Sequence, residues 1–206
     1  MTITRIKPLR ENQYSLYVDG EFATKVTDDI LFFHKLSEGM DVDAALLNQV
    51  VAEARAHFGK ERAMYILSYR DHSKAELMRK LQQKTGDPEL AQYAADEMEK
   101  MGYVDDVRYA QRLAEQLFEN KLYGRKRVLQ ELLQKGIDRE TAQDAVDSVE
   151  TDELENAQML LERKYSARDL ADEKGRRRVI NGMLRYGYDF SDIKALLNEY
   201  IDEDED

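Results

Sequence analysis

Basic side chains gather at three matching places in the chain. Arg70 and Lys74 flank Ser73, Arg125, Lys126 and Arg127 follow Gly124, and Arg176, Arg177 and Arg178 follow Gly175. Guanidinium and ammonium groups at this density bind phosphates or carboxylates through charge-assisted hydrogen bonds and do no covalent chemistry of their own. The residues that would add such chemistry are missing or misplaced. Cysteine is absent, which excludes disulfides, thiol nucleophiles and cysteine-ligated zinc. His34, His57 and His72 lack a metal-ligand spacing such as H-E-x-x-H. Phe58-Gly59-Lys60-Glu61 lacks the upstream glycine and the following hydroxyl residue of a phosphate-binding P-loop, and no G-x-S-x-G elbow occurs. Asp105 and Asp106 stand where a helix begins, and capping accounts for them. The chain reads as a binding protein rather than an enzyme, with no cofactor and no metal.

Three helical blocks carry these clusters. A displacement of 51 residues superimposes Leu77, Val128 and Val179, then Leu81, Leu132 and Met183, then Ala91, Ala142 and Ile193. Ala94, Ala145 and Leu196 follow, with Ala95, Val146 and Leu197, and last Met98, Val149 and Tyr200. Separations of three and four residues put these positions on one helical face. Asp87, Asp138 and Asp189 recur at the same period as N-caps, Pro88 takes a first helical position, and Ser73 to Glu76 has the form of a capping box. Each block is expected to hold three helices. A unit of about fifty residues is marginal alone, so the blocks should stack into an elongated array.

Charge sorts along the same period. The basic residues fall on the middle helix of each block, while the third helices are acidic: Asp87, Glu89, Asp96, Glu97 and Glu99, then Asp138, Glu140, Asp144, Asp147 and Glu150, then Asp189, Asp192 and Glu199. Acidic residues opening a helix follow from the helix dipole. Arg125 to Arg127 and Arg176 to Arg178 lie near N-termini, against the dipole, and are the better candidates for binding. Tyr69, Tyr123 and Tyr186 lie beside the clusters, as exposed anchors or as packing.

The first forty residues differ. Tyr14 to Val18 and Glu21 to Val26 flank Asp19-Gly20, a two-residue hairpin signal, and Thr2 to Lys7 supplies a third strand before Pro8. A short helix over about Asp28 to Leu36 is expected next. The chain divides into a β-hairpin segment with its short helix (1–40), a connecting helix (41–58), three-helix repeats at 60–104, 105–150 and 151–201, and an acidic tail at 202–206. The fold class is therefore mainly α, with a small N-terminal three-stranded segment. Lys plus Arg number 31 against 42 Asp plus Glu, a net charge of −11 that argues against coating duplex DNA by bulk charge. No apolar run suits a membrane span or a signal peptide, so the expected location is cytoplasmic.

Three motifs in order resemble a known family. Ile66 to Leu77 with Lys80-Leu81 resembles the first repeat of the bacterial RecX regulatory proteins. Met101-Gly102-Tyr103-Val104-Asp105-Asp106, followed by Tyr109-Ala110, resembles that family's junction, and Gly124 to Leu132 with Gln134-Lys135-Gly136-Ile137 resembles its second repeat. Lys164-Tyr165 and Arg185-Tyr186-Gly187-Tyr188 are similar to its third. The resemblance spans residues 61–201. It implies tandem three-helix repeats and control of the RecA recombinase: binding RecA, lodging in the groove of its filament on single-stranded DNA, and suppressing ATP hydrolysis, strand exchange and filament growth. The chain is expected to be a monomer, and its net acidity leaves it only weak, salt-dependent direct contact with single-stranded DNA through the basic helices. The candidate contacts are Arg70, Lys74, Arg125, Lys126, Arg127, Arg176, Arg177 and Arg178. A direct nucleic-acid-binding helical module and a general protein-binding scaffold are the competing readings of the same residues.

Overall fold

The structure of the chain, a computed structural model, has the expected hairpin turn at Asp19 and Gly20, whose φ values of 50° and 88° are the two left-handed conformations a type I′ turn requires. That turn joins β2 (Gln13–Val18) to β3 (Glu21–Thr27), and β1 (Ile3–Arg10) pairs antiparallel along the other side of β2. β1 runs through Pro8 rather than stopping at Lys7. As an edge strand it has one row of backbone groups without a ladder partner, and a proline is tolerated there. Ile3, Leu16, Val18 and Val26 from the sheet bury against Ile30 of α1 (Asp28–Phe33) and Val50 and Ala54 of α2 (Ala44–Leu67). The short helix ends at Phe33, three residues before the expected Leu36, and Thr27 caps its start.

The described residues are 1–165, 170 and 172–203, with side chains described through Asn198. Residues 204–206 of the acidic tail, and the side chains of Glu199, Tyr200, Asp202 and Glu203, lie outside them. The chain forms two compact units: residues 1–70 with 77–104, and residues 71–76 with 105–206.

In the first unit, α2 is one continuous helix from Ala44 to Leu67, where the sequence reading ends a connecting helix at Phe58. Gly59 is buried inside it, and a Cβ there would stand 2.6 Å from a Leu90 methyl carbon, so the bare backbone lets that side chain pack close. Leu90 belongs to α4 (Pro88–Lys100), which follows α3 (Lys74–Thr85). Asp87 caps α4, its carboxylate accepting from Leu90 N at 3.1 Å, and Pro88 occupies the first turn. Ala63, Leu77, Leu81, Ala91, Ala94, Ala95 and Met98 form the buried cluster these helices share.

The second unit holds α5 (Asp106–Lys121), α6 (Arg125–Gln134), α7 (Arg139–Ser148), α8 (Glu153–Lys164), α9 (Glu173–Tyr186) and α10 (Phe190–Glu203). Asp105, Asp138, Asp152 and Asp172 cap α5, α7, α8 and α9. The 51-residue register is borne out by burial. Val128, Leu132, Ala142, Ala145 and Val146 make one core, and Val179, Met183, Ile193, Leu196 and Leu197 make the next at the same places in the repeat.

Candidate functional site

α6 is the basic helix with the least orthodox start. Gly124 is its N-cap and supplies no side-chain hydrogen bond, and no acidic residue stands in its first turn. What holds this helix end is the Glu153 carboxylate of α8, which accepts from Arg125 N at 3.1 Å, together with the turn between α9 and α10. Gly124 N donates to Tyr186 O at 2.9 Å, and a Cβ on Gly124 would stand 2.6 Å from Gly187 O. Gly187 has φ +97°, and a Cβ on it would stand 2.4 Å from Arg127 N. Both the left-handed backbone and the close approach therefore require glycine there. The Tyr188 hydroxyl donates to Leu122 O at 3.0 Å, and burial raises its pKa well above the ordinary tyrosine value.

The same joint occurs once more within the second unit, 51 residues earlier. Ser73 stands where Gly124 does, and its hydroxyl donates to Lys135 O at 2.5 Å, the carbonyl equivalent to that of Tyr186. Gly136, equivalent to Gly187, has φ +81°, and a Cβ there would meet Ala75 Cβ at 2.4 Å. Around it sits a polar knot. Lys135 Nζ donates to Glu76 Oε1 at 2.8 Å, the Tyr109 hydroxyl donates to Glu76 Oε2 at 3.1 Å, and His72 Nδ1 lies 3.4 Å from that oxygen. Glu76 N donates to Ser73 Oγ at 3.1 Å, which is the serine half of the expected capping box, while the glutamate carboxylate also serves the knot. His72, Ser73 and Glu76 are buried, so their hydrogen bonds are needed to offset lost solvation.

The candidate basic residues meet different fates on this frame. Arg125 is built in. Its guanidinium donates to Val146 O at 2.9 Å, a carbonyl in the last turn of α7, lies 3.6 Å from carboxylate oxygens of both Asp147 and Glu153, and sits 5.9 Å from the Phe118 ring. Lys126 pairs with Asp189, whose hydrogen bond and then charge raise the lysine pKa. Arg127 pairs with Glu131 at 2.5 Å and lies 5.6 Å from the Tyr123 ring. Tyr123 and Tyr186 stack edge-on with centroids 5.5 Å apart, both half-buried, whereas Tyr69 is exposed. Arg176, Arg177 and Arg178 are all exposed on the first turns of α9. Arg177 pairs with Glu173 at 2.6 Å across side chains that are 75% and 80% exposed, a pair that water and salt largely screen. Arg176 Nε donates to Leu170 O at 2.8 Å. Arg70 is exposed at the end of the first unit, and Lys74, half-buried, donates its backbone N–H to Asp106 at 2.8 Å.

The structure thus gathers Arg125, Lys126 and Arg127 around one joint and leaves Arg176 to Arg178 at the other end of α9, about 15 Å along its axis from Gly187. Lys135, Tyr109 and His72 were missed as partners from the sequence. The clue was present in the recurrence of Lys135-Gly136 and Tyr186-Gly187 at the 51-residue period. Among the described residues no group of three or more histidine and carboxylate side chains is placed to hold a metal ion, and no helix is long and apolar enough to cross a membrane.

Tandem three-helix domains, two of their joints built on the same turn against the same helix end, define a helical-repeat protein. Comparison with known proteins makes the class specific. Residues 60–98, 105–146 and 150–197 match the first, second and third three-helix domains of RecX. The chain belongs to the RecX family. It is 37% identical to regulatory protein RecX of Trichlorobacter lovleyi over 66% of this chain and 92% of that one, and 28% identical to that of Clostridioides difficile over 98% and 97%. A crystal structure of regulatory protein RecX superimposes with a TM-score of 0.70 at 21% identity over 96% of this chain and 98% of the other, and RecX from Lactobacillus salivarius with 0.60 at 20% over 70% and 96%.

Proposed function

We propose that this protein regulates the RecA recombinase. It binds RecA and its filament on single-stranded DNA and modulates, mainly by inhibition, ATP hydrolysis, strand exchange and filament growth, and so bears on DNA repair and recombination. It acts in the cytoplasm, as a monomer, without catalytic chemistry of its own.

Family membership supports this reading, and the recurrence of the Ser73–Lys135 contact as the Gly124–Tyr186 contact is the observation that carries it. A repeated joint holds successive basic helices at a fixed step, and a helical filament offers its sites at a fixed step. Several weak contacts then add through effective concentration, which favours filament over a lone subunit. Arg176, Arg177 and Arg178 are the foremost contacts in this reading, with Arg70, Lys74 and Lys126 beside them. Arg125 and Arg127 act chiefly by holding the frame.

The test is RecA ATP hydrolysis on single-stranded DNA with this protein added well below one molecule per RecA. Inhibition at those amounts is expected. An unchanged rate at equal molar amounts of folded protein would overturn the proposal.

A further inference from the structure

The second unit holds the start of two basic helices with acid from further along the chain. Lys74 N donates to Asp106 Oδ1 at 2.8 Å, and Arg125 N donates to Glu153 Oε1 at 3.1 Å. Those carboxylates stand 32 and 28 residues on, each in the first turn of the next block's first helix. The Arg125 guanidinium adds Val146 O at 2.9 Å and lies 3.6 Å from both Asp147 and Glu153, so the start of α6 rests against the end of α7.

A displacement of 51 residues carries Arg125 to Arg176, Val146 to Leu197, Asp147 to Asn198 and Glu153 to Asp204. The position at Asn198 has lost its charge, but Asp202-Glu203-Asp204-Glu205-Asp206 puts five carboxylates around the place of Glu153. Where α7 stops at Ser148, α10 runs past the equivalent Glu199 to Glu203 and leads into this acidic run from the helix that shares a core with α9. Three residues beyond Glu203 reach up to about 10 Å further when extended.

The cations that would receive these acids are at hand. Lys174, Arg176, Arg177 and Arg178 are exposed in the first turns of α9. Arg176 gives one N–H to Leu170 O and Arg177 pairs with Glu173, which leaves each of these two guanidinium groups further donors. Carboxylates suit a helix N-terminus, where the dipole is positive, and are ill placed at the C-terminal end of α10, so pairing across to α9 relieves both ends. A segment tethered this closely acts at an effective concentration in the millimolar range, ahead of any free acidic peptide or phosphate.

We propose that residues 202–206 fold over the start of α9 in the free protein, pairing their carboxylates with Arg176 and Arg177, and that a bound partner must displace them. The cover is intramolecular and exists without a partner; its regulatory consequence rests on the RecA reading above.

The experiment labels arginines with phenylglyoxal and reads each site by peptide mass spectrometry. It compares the full chain alone with a variant carrying Asp202→Asn, Glu203→Gln, Asp204→Asn, Glu205→Gln and Asp206→Asn. Removing negative charge from a helix C-terminus does not endanger the fold, and a thermal melt of each protein accompanies the labelling. At about 20 mM salt Arg176 and Arg177 should react about three-fold faster in the variant, while Arg139, exposed on α7, reacts equally in both. The difference should close at about 0.5 M salt, where screening confines charge to short range. In RecA ATP hydrolysis the neutralised variant should inhibit at about three- to five-fold lower amounts. The same neutralisation should change nothing in an Arg176→Ala, Arg177→Ala, Arg178→Ala background. Equal labelling of wild type and variant at low salt would overturn the proposal. So would protection that rises with protein concentration, which would place the acids of a second copy there, or inhibition curves that superimpose despite the labelling difference. A chain that shows the labelling difference but never inhibits RecA would sink the regulatory reading and leave the cover standing.

Discussion

α6 and α9 begin with the same kind of sequence, a glycine followed by three basic residues at the same place in the repeat, and the fold treats them in opposite ways. Around α6 the three side chains are absorbed by the carboxylates Asp147, Glu153, Asp189 and Glu131, the Val146 carbonyl and two rings. Around α9 all three are exposed; Arg177 pairs with Glu173 of its own helix and Arg176 donates to the Leu170 carbonyl. The difference comes from what lies beside each helix end. α6 starts against a turn that carries Asp189, whereas α9 is capped by Asp172, whose carboxylate accepts from Gly175 N at 2.6 Å. A cation placed against a helix dipole is therefore no reliable sign of function. Its surroundings decide.

The joint under α6 can be broken outright. Gly187→Ala forces a side chain onto a left-handed backbone and into Arg127 N, and should destabilise the protein by about 3 kcal/mol or more. Gly20→Ala is the control: its φ is also positive at 88°, but nothing lies within 4 Å of a Cβ there, so it should lose only about 1 kcal/mol. Chemical denaturation of the pair separates contact from backbone strain.

Arg125→Ala should come next, at about 1.5–3 kcal/mol in the same measurement, because it leaves the Val146 carbonyl without its charged donor and exposes the Phe118 ring. Replacing Arg176, Arg177 and Arg178 together with Ala should cost less than about 1 kcal/mol, since exposed charges seldom matter to folding. Equal losses for the two variants would erase the distinction between the helices.

The smallest effect concerns acid. The Asp138 carboxyl is held below its ordinary value by hydrogen bonds from the Thr141 side chain and then its backbone N–H, and the Asp87 carboxyl by the Leu90 N–H and then Arg55. With folded pKa values below unfolded ones, the unfolded state takes up more protons in acid. The stability these groups lend is complete above about pH 4 and disappears as pH falls through the folded values. Asn caps a helix about as well as Asp but does not titrate. Asp138→Asn should thus melt near wild type at neutral pH and lose less between about pH 4 and pH 2 than wild type does.

Much of this was readable in advance because it rests on periodic burial and local turn chemistry. Leu77, Val128 and Val179, the caps at Asp87 and Asp138, and the Asp19-Gly20 turn each follow from spacing or residue type, and each is found. The continuous α2 was not readable, because a helical Gly59 looks the same whether it ends a helix or admits Leu90. Nor was the fate of the basic clusters. Glu153 and Asp189 lie 28 and 63 residues from the side chains they engage, beyond the reach of any local pattern.

The central claim, that the exposed α9 cluster makes contacts while Arg125 and Arg127 of α6 hold the frame, is tested most directly by one inhibition curve: RecA ATP hydrolysis on single-stranded DNA against increasing amounts of the Arg176→Ala, Arg177→Ala, Arg178→Ala variant. Three exposed charge contacts at about 0.2–1 kcal/mol each predict a curve displaced about ten-fold toward higher concentration, at ~1.4 kcal/mol per factor of ten. A normally folded variant whose curve superimposes on wild type would contradict the account.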